Sequence, residues 1–180
     1  VSGRKRGRVL AWSLVATVTL VCLASLPLAV AHLRHPSTST RSFRLSVLAP
    51  EGTTVNRGLA ISPDGRSLVL ASTDATGKAS LWLRSLESGS TVKLAGTEDA
   101  FFPFWSPDSR HIGFFTRDKL KKTDPADAAP STICSIGGSS PRGGTWSKDG
   151  VIVFCPSGSS PLLQVSANGG TPVAATKTLE

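Results

Sequence analysis

The sequence predicts an all-β fold, a partial β-propeller of about three four-stranded blades preceded by one transmembrane helix. Three observations carry that reading: one turn motif occurs three times, its copies lie in the low forties of residues apart, and a long apolar run precedes them. The copies are Ile61-Ser62-Pro63-Asp64-Gly65-Arg66-Ser67-Leu68-Val69-Leu70, Trp105-Ser106-Pro107-Asp108-Ser109-Arg110-His111-Ile112-Gly113-Phe114-Phe115 and Trp146-Ser147-Lys148-Asp149-Gly150-Val151-Ile152-Val153-Phe154. Ser62, Ser106 and Ser147 are separated by 44 and 41 residues, the period of a propeller blade built from several short strands.

Each residue of the motif has a physical task. Proline presets φ at the second position of a type I turn, aspartate bonds back to nearby backbone, and glycine accepts the left-handed conformation that closes a bulged hairpin. Ser62, Pro63, Asp64 and Gly65 therefore join two antiparallel strands. Ser106, Pro107 and Asp108 do the same with Ser109 in the glycine position, and Ser147, Asp149 and Gly150 do so without the proline and one residue shorter. Ile61, Trp105 and Trp146 just before the turns, and the apolar runs after them, are expected to supply the buried sides of those strands.

The segments before the repeats are of another kind. Residues 1–8 hold Arg4, Lys5, Arg6 and Arg8 and read as a basic cytoplasmic tail. Val9–Ala31 is 23 residues without a charge, long enough to cross a bilayer as a helix. It is a membrane span, an uncleaved signal anchor, or a signal peptide cut after Ala31; the Ala29-Val30-Ala31 triplet suits cleavage, while the length favours an uncleaved anchor. The charge-orientation rule then places the repeats outside the cytoplasm, in a single-pass protein of the cytoplasmic membrane. Residues 32–42 form a polar linker. His32 and His35 within it have no third ligand, so no metal site is expected there.

Phe43–Leu48 alternates sides and ends at Pro50, as a strand should. In a closed propeller such a strand often completes the last blade. Further strands are predicted at Leu81–Leu86 and Thr91–Leu94, at Leu120–Thr123 and Thr132–Ile136, and at Leu162–Val165 and Pro172–Ala175, giving blades near 56–98, 99–140 and 141–180. Three blades do not close a ring that needs four to eight, so further blades are required. The valine at position 1 and an end shortly before a fourth turn falls due point to a fragment.

Charge and cysteine exclude more than they assign. The net charge is +8, but the tail carries four of the positive charges. No basic-aromatic stripe accompanies the rest, so no nucleic-acid partner is expected. Cys22 lies in the apolar run, while Cys134 and Cys155 fall in strands of adjacent blades, as small buried residues or as a disulfide in an oxidising compartment.

The repeats resemble the WD-repeat-like blades of the TolB-like propeller family, whose signature is an aromatic or aliphatic residue, then Ser-Pro-Asp-Gly, then an apolar strand. The run from Phe43 to Thr176, within the incomplete TolB-like propeller expected over 43–180, also resembles the extracytoplasmic propeller of bacterial transmembrane serine/threonine protein kinases. That resemblance implies a sensor segment in the bacterial cytoplasmic membrane whose kinase domain lies outside this chain. The alternatives are a secreted or periplasmic TolB-like binding scaffold and the propeller of a serine peptidase.

No catalytic motif appears in the chain itself. Thr116-Arg117-Asp118 through Thr123 looks superficially like a kinase catalytic loop, yet the histidine before Arg-Asp and the asparagine five residues after the aspartate are both replaced by threonine. There is no Gly-x-Ser-x-Gly elbow, and His111 lies inside a repeat strand. The chain is therefore expected to be a binding module without cofactor, not an enzyme. Arg57, Phe101 and Arg142, each five residues before a turn serine, occupy equivalent starts of the innermost strands. They are candidates to receive an unknown protein, peptide or small ligand at the propeller face.

Overall fold

A computed structural model describes residues 48–126, 129–138 and 140–176, all within one compact unit. Twelve strands build it: β1 (Thr53–Ile61), β2 (Ser67–Asp74), β3 (Ala79–Ser85), β4 (Thr91–Lys93), β5 (Phe101–Trp105), β6 (Ile112–Phe115), β7 (Lys119–Thr123), β8 (Ser131–Ser135), β9 (Gly144–Trp146), β10 (Val151–Phe154), β11 (Leu163–Ser166) and β12 (Val173–Ala174). They form three four-stranded antiparallel sheets, β1 to β4, β5 to β8 and β9 to β12, each in sequence order. Each motif copy joins the first strand of a sheet to the second, so the repeat in the sequence is the repeat of blades.

The innermost strands stand side by side, β5 next to both β1 and β9. The blades stack face to face through two cores. Between the first and second blades lie Val69, Ala71, Leu81, Trp105, Ile112 and Phe114; between the second and third lie Phe104, Phe115, Leu120, Ile133, Ile152 and Phe154. Strand β6 serves both cores, because successive side chains point to opposite faces. Ile112 and Phe114 face the first blade and Phe115 the third, which is why that run is apolar without alternation.

The glycine in β6 is a packing requirement. Gly113 pairs with Phe104 across the ladder, and a Cβ on it would lie within 3.0 Å of three ring carbons of Phe104. That ring continues over Gly144 of the third blade, where a Cβ would meet it at 3.1 Å, and it lies 5.9 Å from the Phe115 ring and 6.4 Å from the Trp146 indole, centroid to centroid. Two glycines thus make room for one phenylalanine wedged between blades.

Several expectations change here. The tail 1–8, the apolar run Val9–Ala31, the linker 32–42 and residues 43–47 of the predicted strand Phe43–Leu48 lie outside the described residues; Leu48 is described, exposed and in no strand. The location expected for a single-pass protein of the bacterial cytoplasmic membrane does not stand, nor does a transmembrane helix as part of the described fold. Among the described residues there is no helix, hence none long and apolar enough to cross a membrane, because from Thr53 onward apolar residues sit in short strands broken by turns every few residues.

The residues before the turns also differ from one another. Trp105 is buried, Trp146 is half-buried, and Ile61 is 59% exposed. Ile61 and Leu59 pair with Leu68 and Leu70 and point to the face of the first blade turned away from the second, where no described blade covers them. Cys134 and Cys155 are free thiols. Burial pushes the Cys134 thiol up, whereas Cys155 donates to the Ser157 carbonyl at 3.0 Å.

Candidate functional site: a cleft between two turns

The three turns share a hydrogen-bond pattern with informative departures. In the first, the Ser62 hydroxyl donates to the Asp64 carboxylate, which also accepts the Arg66 amide at 3.0 Å. The Ser67 amide donates to the Ser62 hydroxyl at 2.9 Å, and the Gly65 amide to the Ser62 carbonyl at 2.8 Å. The second turn repeats each bond: Ser106 to Asp108, the Arg110 amide to Asp108 at 3.1 Å, the His111 amide to the Ser106 hydroxyl at 2.8 Å, and the Ser109 amide to the Ser106 carbonyl at 3.0 Å. The serine hydroxyl holds the Asp64 and Asp108 carboxyls below their ordinary range, the following backbone amide adding to it.

The third turn keeps only part of this. The Gly150 amide reaches the Ser147 carbonyl at 3.1 Å and the Val151 amide the Ser147 hydroxyl at 3.2 Å. Being one residue shorter, the turn has no counterpart of Arg66 or Arg110, and among the described residues Asp149 accepts no hydrogen bond.

That difference decides how neighbouring blades meet at their turn ends. Between the first and second blades, the Asp64 amide donates to the Ser109 hydroxyl at 3.1 Å and the Trp105 indole N–H donates to the Ala60 carbonyl at 3.0 Å. Between the second and third, the position matching Ser109 is Gly150, which has no hydroxyl to offer the Asp108 amide. Trp146, matching Trp105, lies instead against the His111 ring at 6.0 Å and 35°. Among the described residues, the cross-blade side-chain hydrogen bond near that end runs from Lys122 Nζ to the Ala167 carbonyl at 2.8 Å.

Where the turns are not bonded together, a cleft of about 480 Å³ opens. Asp108 and His111 form one wall, Trp146 and Lys148 the other, with Lys122 and Asn168 at the outer end. Its surface is rich in donors. Lys148 is exposed, Lys122 spends one N–H on Ala167, and among the described residues the Trp146 indole N–H has no acceptor and the Asp108 amide none beyond its own carboxylate. The Asp108 carboxylate, by contrast, already accepts from Ser106 and Arg110 within its own turn.

The residues singled out at the strand starts lie at the opposite end of the blades. Arg57 is exposed beside the bulge that separates Val55 from Leu59 in β1. Phe101 is half-buried, its ring 5.7 Å from that of Phe102 and 6.3 Å from that of Phe115. Arg142 is exposed just before β9, its amide donating to the Cys155 carbonyl at 3.0 Å. Phe101 opens β5 and Arg142 precedes β9, but Arg57 is the fifth residue of β1 and not at its start, and the Phe101 ring packs on the core and touches neither guanidinium among the described aromatic contacts.

Lys122, Lys148 and His111 went unnoticed as site residues. The signal was present in the motif: the missing proline and the lost residue of the third copy mark the place where the turn-to-turn contact fails.

No protein-family profile matches the chain, and no match was found among characterised proteins. Solved structures do resemble it. TolB of Acinetobacter baumannii superposes with a TM-score of 0.54 and 15% identity, over 67% of this chain and 33% of that one. The oligogalacturonate lyase of Vibrio parahaemolyticus gives 0.55 and 18%, over 70% and 42%. A chain of the nidogen/laminin complex gives 0.54 and 14%, over 66% and 46%. This chain thus spans less than half of each structure, and such different proteins share a fold and not an activity. In fold, the described residues are TolB-like β-propeller repeats.

Proposed function

We propose that this chain is a non-catalytic binding segment of a propeller, which receives a protein partner on the turn end of the second and third blades. The observation that supports it is the cleft between the two turns, where Trp146 and His111 present two neighbouring tilted rings and Lys148 an exposed cation. Aromatic side chains beside charged ones are what protein-recognition surfaces use. A propeller of similar fold is part of the nidogen/laminin complex, which is a protein assembly. Arg57 and Arg142 at the other end belong to this proposal as a second contact surface.

The non-catalytic reading rests on the sequence, which carries neither a phosphate loop nor a nucleophile elbow. Association with a kinase domain rests on the resemblance of the repeats alone.

The test is capture on the immobilised chain, read as a comparison between variants. A protein retained by the wild type and lost with Trp146→Ala supports binding through the cleft. Retention unchanged in Trp146→Ala, and lost only in Arg57→Ala/Arg142→Ala, would move the partner to the opposite end. Turnover of a substrate by the purified chain would overturn the reading altogether.

A further inference from the structure

We infer that the partner offers this cleft an acidic segment, a carboxylate flanked by an apolar side chain. The inference rests on the binding reading above and adds the chemistry of the ligand. Donors that no other residue engages attract an anion, and the residues lining the cleft carry four: Lys148 Nζ, the remaining N–H groups of Lys122, the Trp146 indole N–H, and the Asp108 amide, which faces only its own carboxylate. The one carboxylate in its walls, Asp108, is exposed but engages its own serine and the Arg110 amide through Oδ1, and the two lysines outnumber its charge. The half-buried Trp146 face beside these donors suits an apolar neighbour of the carboxylate.

The first blade interface shows why the donors are free. There the Ser109 hydroxyl occupies the Asp64 amide and the Ala60 carbonyl occupies the Trp105 indole. Gly150 withdraws the first of these at the second interface, and the tilt of Trp146 onto His111 withdraws the second. A carboxylate bound in the cleft would take the place of the missing hydroxyl. The same comparison supplies a closing mutation, because Gly150 has φ 74° and Ser109 holds a serine at φ 61° in the matching place.

The experiment is an amide and indole NMR titration of the chain with two peptides, Gly-Glu-Glu-Leu-Glu-Gly and its Gln analogue Gly-Gln-Gln-Leu-Gln-Gly, both blocked at their ends. The Glu peptide is expected to move the Trp146 indole and Asp108 amide signals in a saturable way, more weakly at high salt. Lys148→Ala should weaken it about tenfold, the loss of one charge-assisted bond, and Gly150→Ser should weaken it by placing a hydroxyl on the Asp108 amide. Equal binding of the Gln peptide overturns the acidic specificity while leaving a protein-binding cleft. If neither peptide moves those signals, yet capture still depends on Trp146, the inference fails and the binding reading stands.

Discussion

The backbone amide of Asp64 donates to the hydroxyl of Ser109, 3.1 Å away on the next blade. Ser109 stands where the other two turns have glycine, in the left-handed region at φ 61°. A serine there costs on the order of 1 kcal/mol of backbone strain relative to glycine. The cross-blade bond returns a similar amount, about 0.5–1.5 kcal/mol. Two substitutions separate these terms. Ser109→Ala keeps the strain and loses the bond, so it should destabilise by about 1 kcal/mol; Ser109→Gly loses both and should be close to neutral. Urea midpoints at unchanged slope would show the difference. Equal midpoints for the two variants would mean that the left-handed position carries no strain, and a Ser109→Ala midpoint equal to that of the wild type would mean that the bond contributes nothing.

Gly113 and Phe104 compete for one volume. A methyl at Gly113 would overlap the Phe104 ring, so Gly113→Ala is expected to cost about 1–3 kcal/mol through overpacking. Shrinking the ring should recover part of that loss. Phe104→Leu alone is destabilising, yet in the Gly113→Ala background its cost should fall by about 1 kcal/mol, as an interaction energy in a double-mutant cycle. Strict additivity of the two changes would show that the ring can move aside freely.

The blades were legible in the sequence because two local rules act along the chain, the first in full on two copies and in part on the third. The serine and aspartate of the motif make their bonds within six residues, and the apolar run after each turn can only be a strand at that spacing. The consecutive burial of Ile112, Phe114 and Phe115 followed from the same run. The exposure of Ile61, the half-burial of Trp146 and the cleft did not, since each depends on what the neighbouring blade presents. Trp105 and Trp146 hold the same place in the motif, but one meets the Ala60 carbonyl and the other a histidine ring.

The two tryptophans should therefore respond differently to the same change. Trp105→Phe removes an indole N–H from a buried site and breaks the cross-blade bond to the Ala60 carbonyl, which keeps its ladder partner on β2, at about 1 kcal/mol. Trp146→Phe removes an N–H that has no acceptor among the described residues, and its cost should stay below about 1 kcal/mol. Thermal unfolding of the two variants compares them directly. A larger loss for Trp146→Phe would show that its indole N–H is engaged after all.

Acid stability follows from the carboxylates of the first two turns. The Ser62 and Ser106 hydroxyls, with the Arg66 and Arg110 amides behind them, hold the Asp64 and Asp108 carboxyls below the ordinary value near 3.9. A folded-state value lowered in this way gives stability that is present above the unfolded value and lost as pH falls through the folded one. The unfolding midpoint should thus be level from pH 7 to about 5 and decline below about 4. Asp74, lowered by the Thr76 hydroxyl and then the Lys78 amide in the turn after β2, adds to the same limb. Asp64→Asn/Asp108→Asn should be less stable at neutral pH and show a shallower acid decline, with the Asp74 share remaining. Urea midpoints from pH 2 to 7 test it: an acid limb as steep as that of the wild type would place the titrating groups elsewhere.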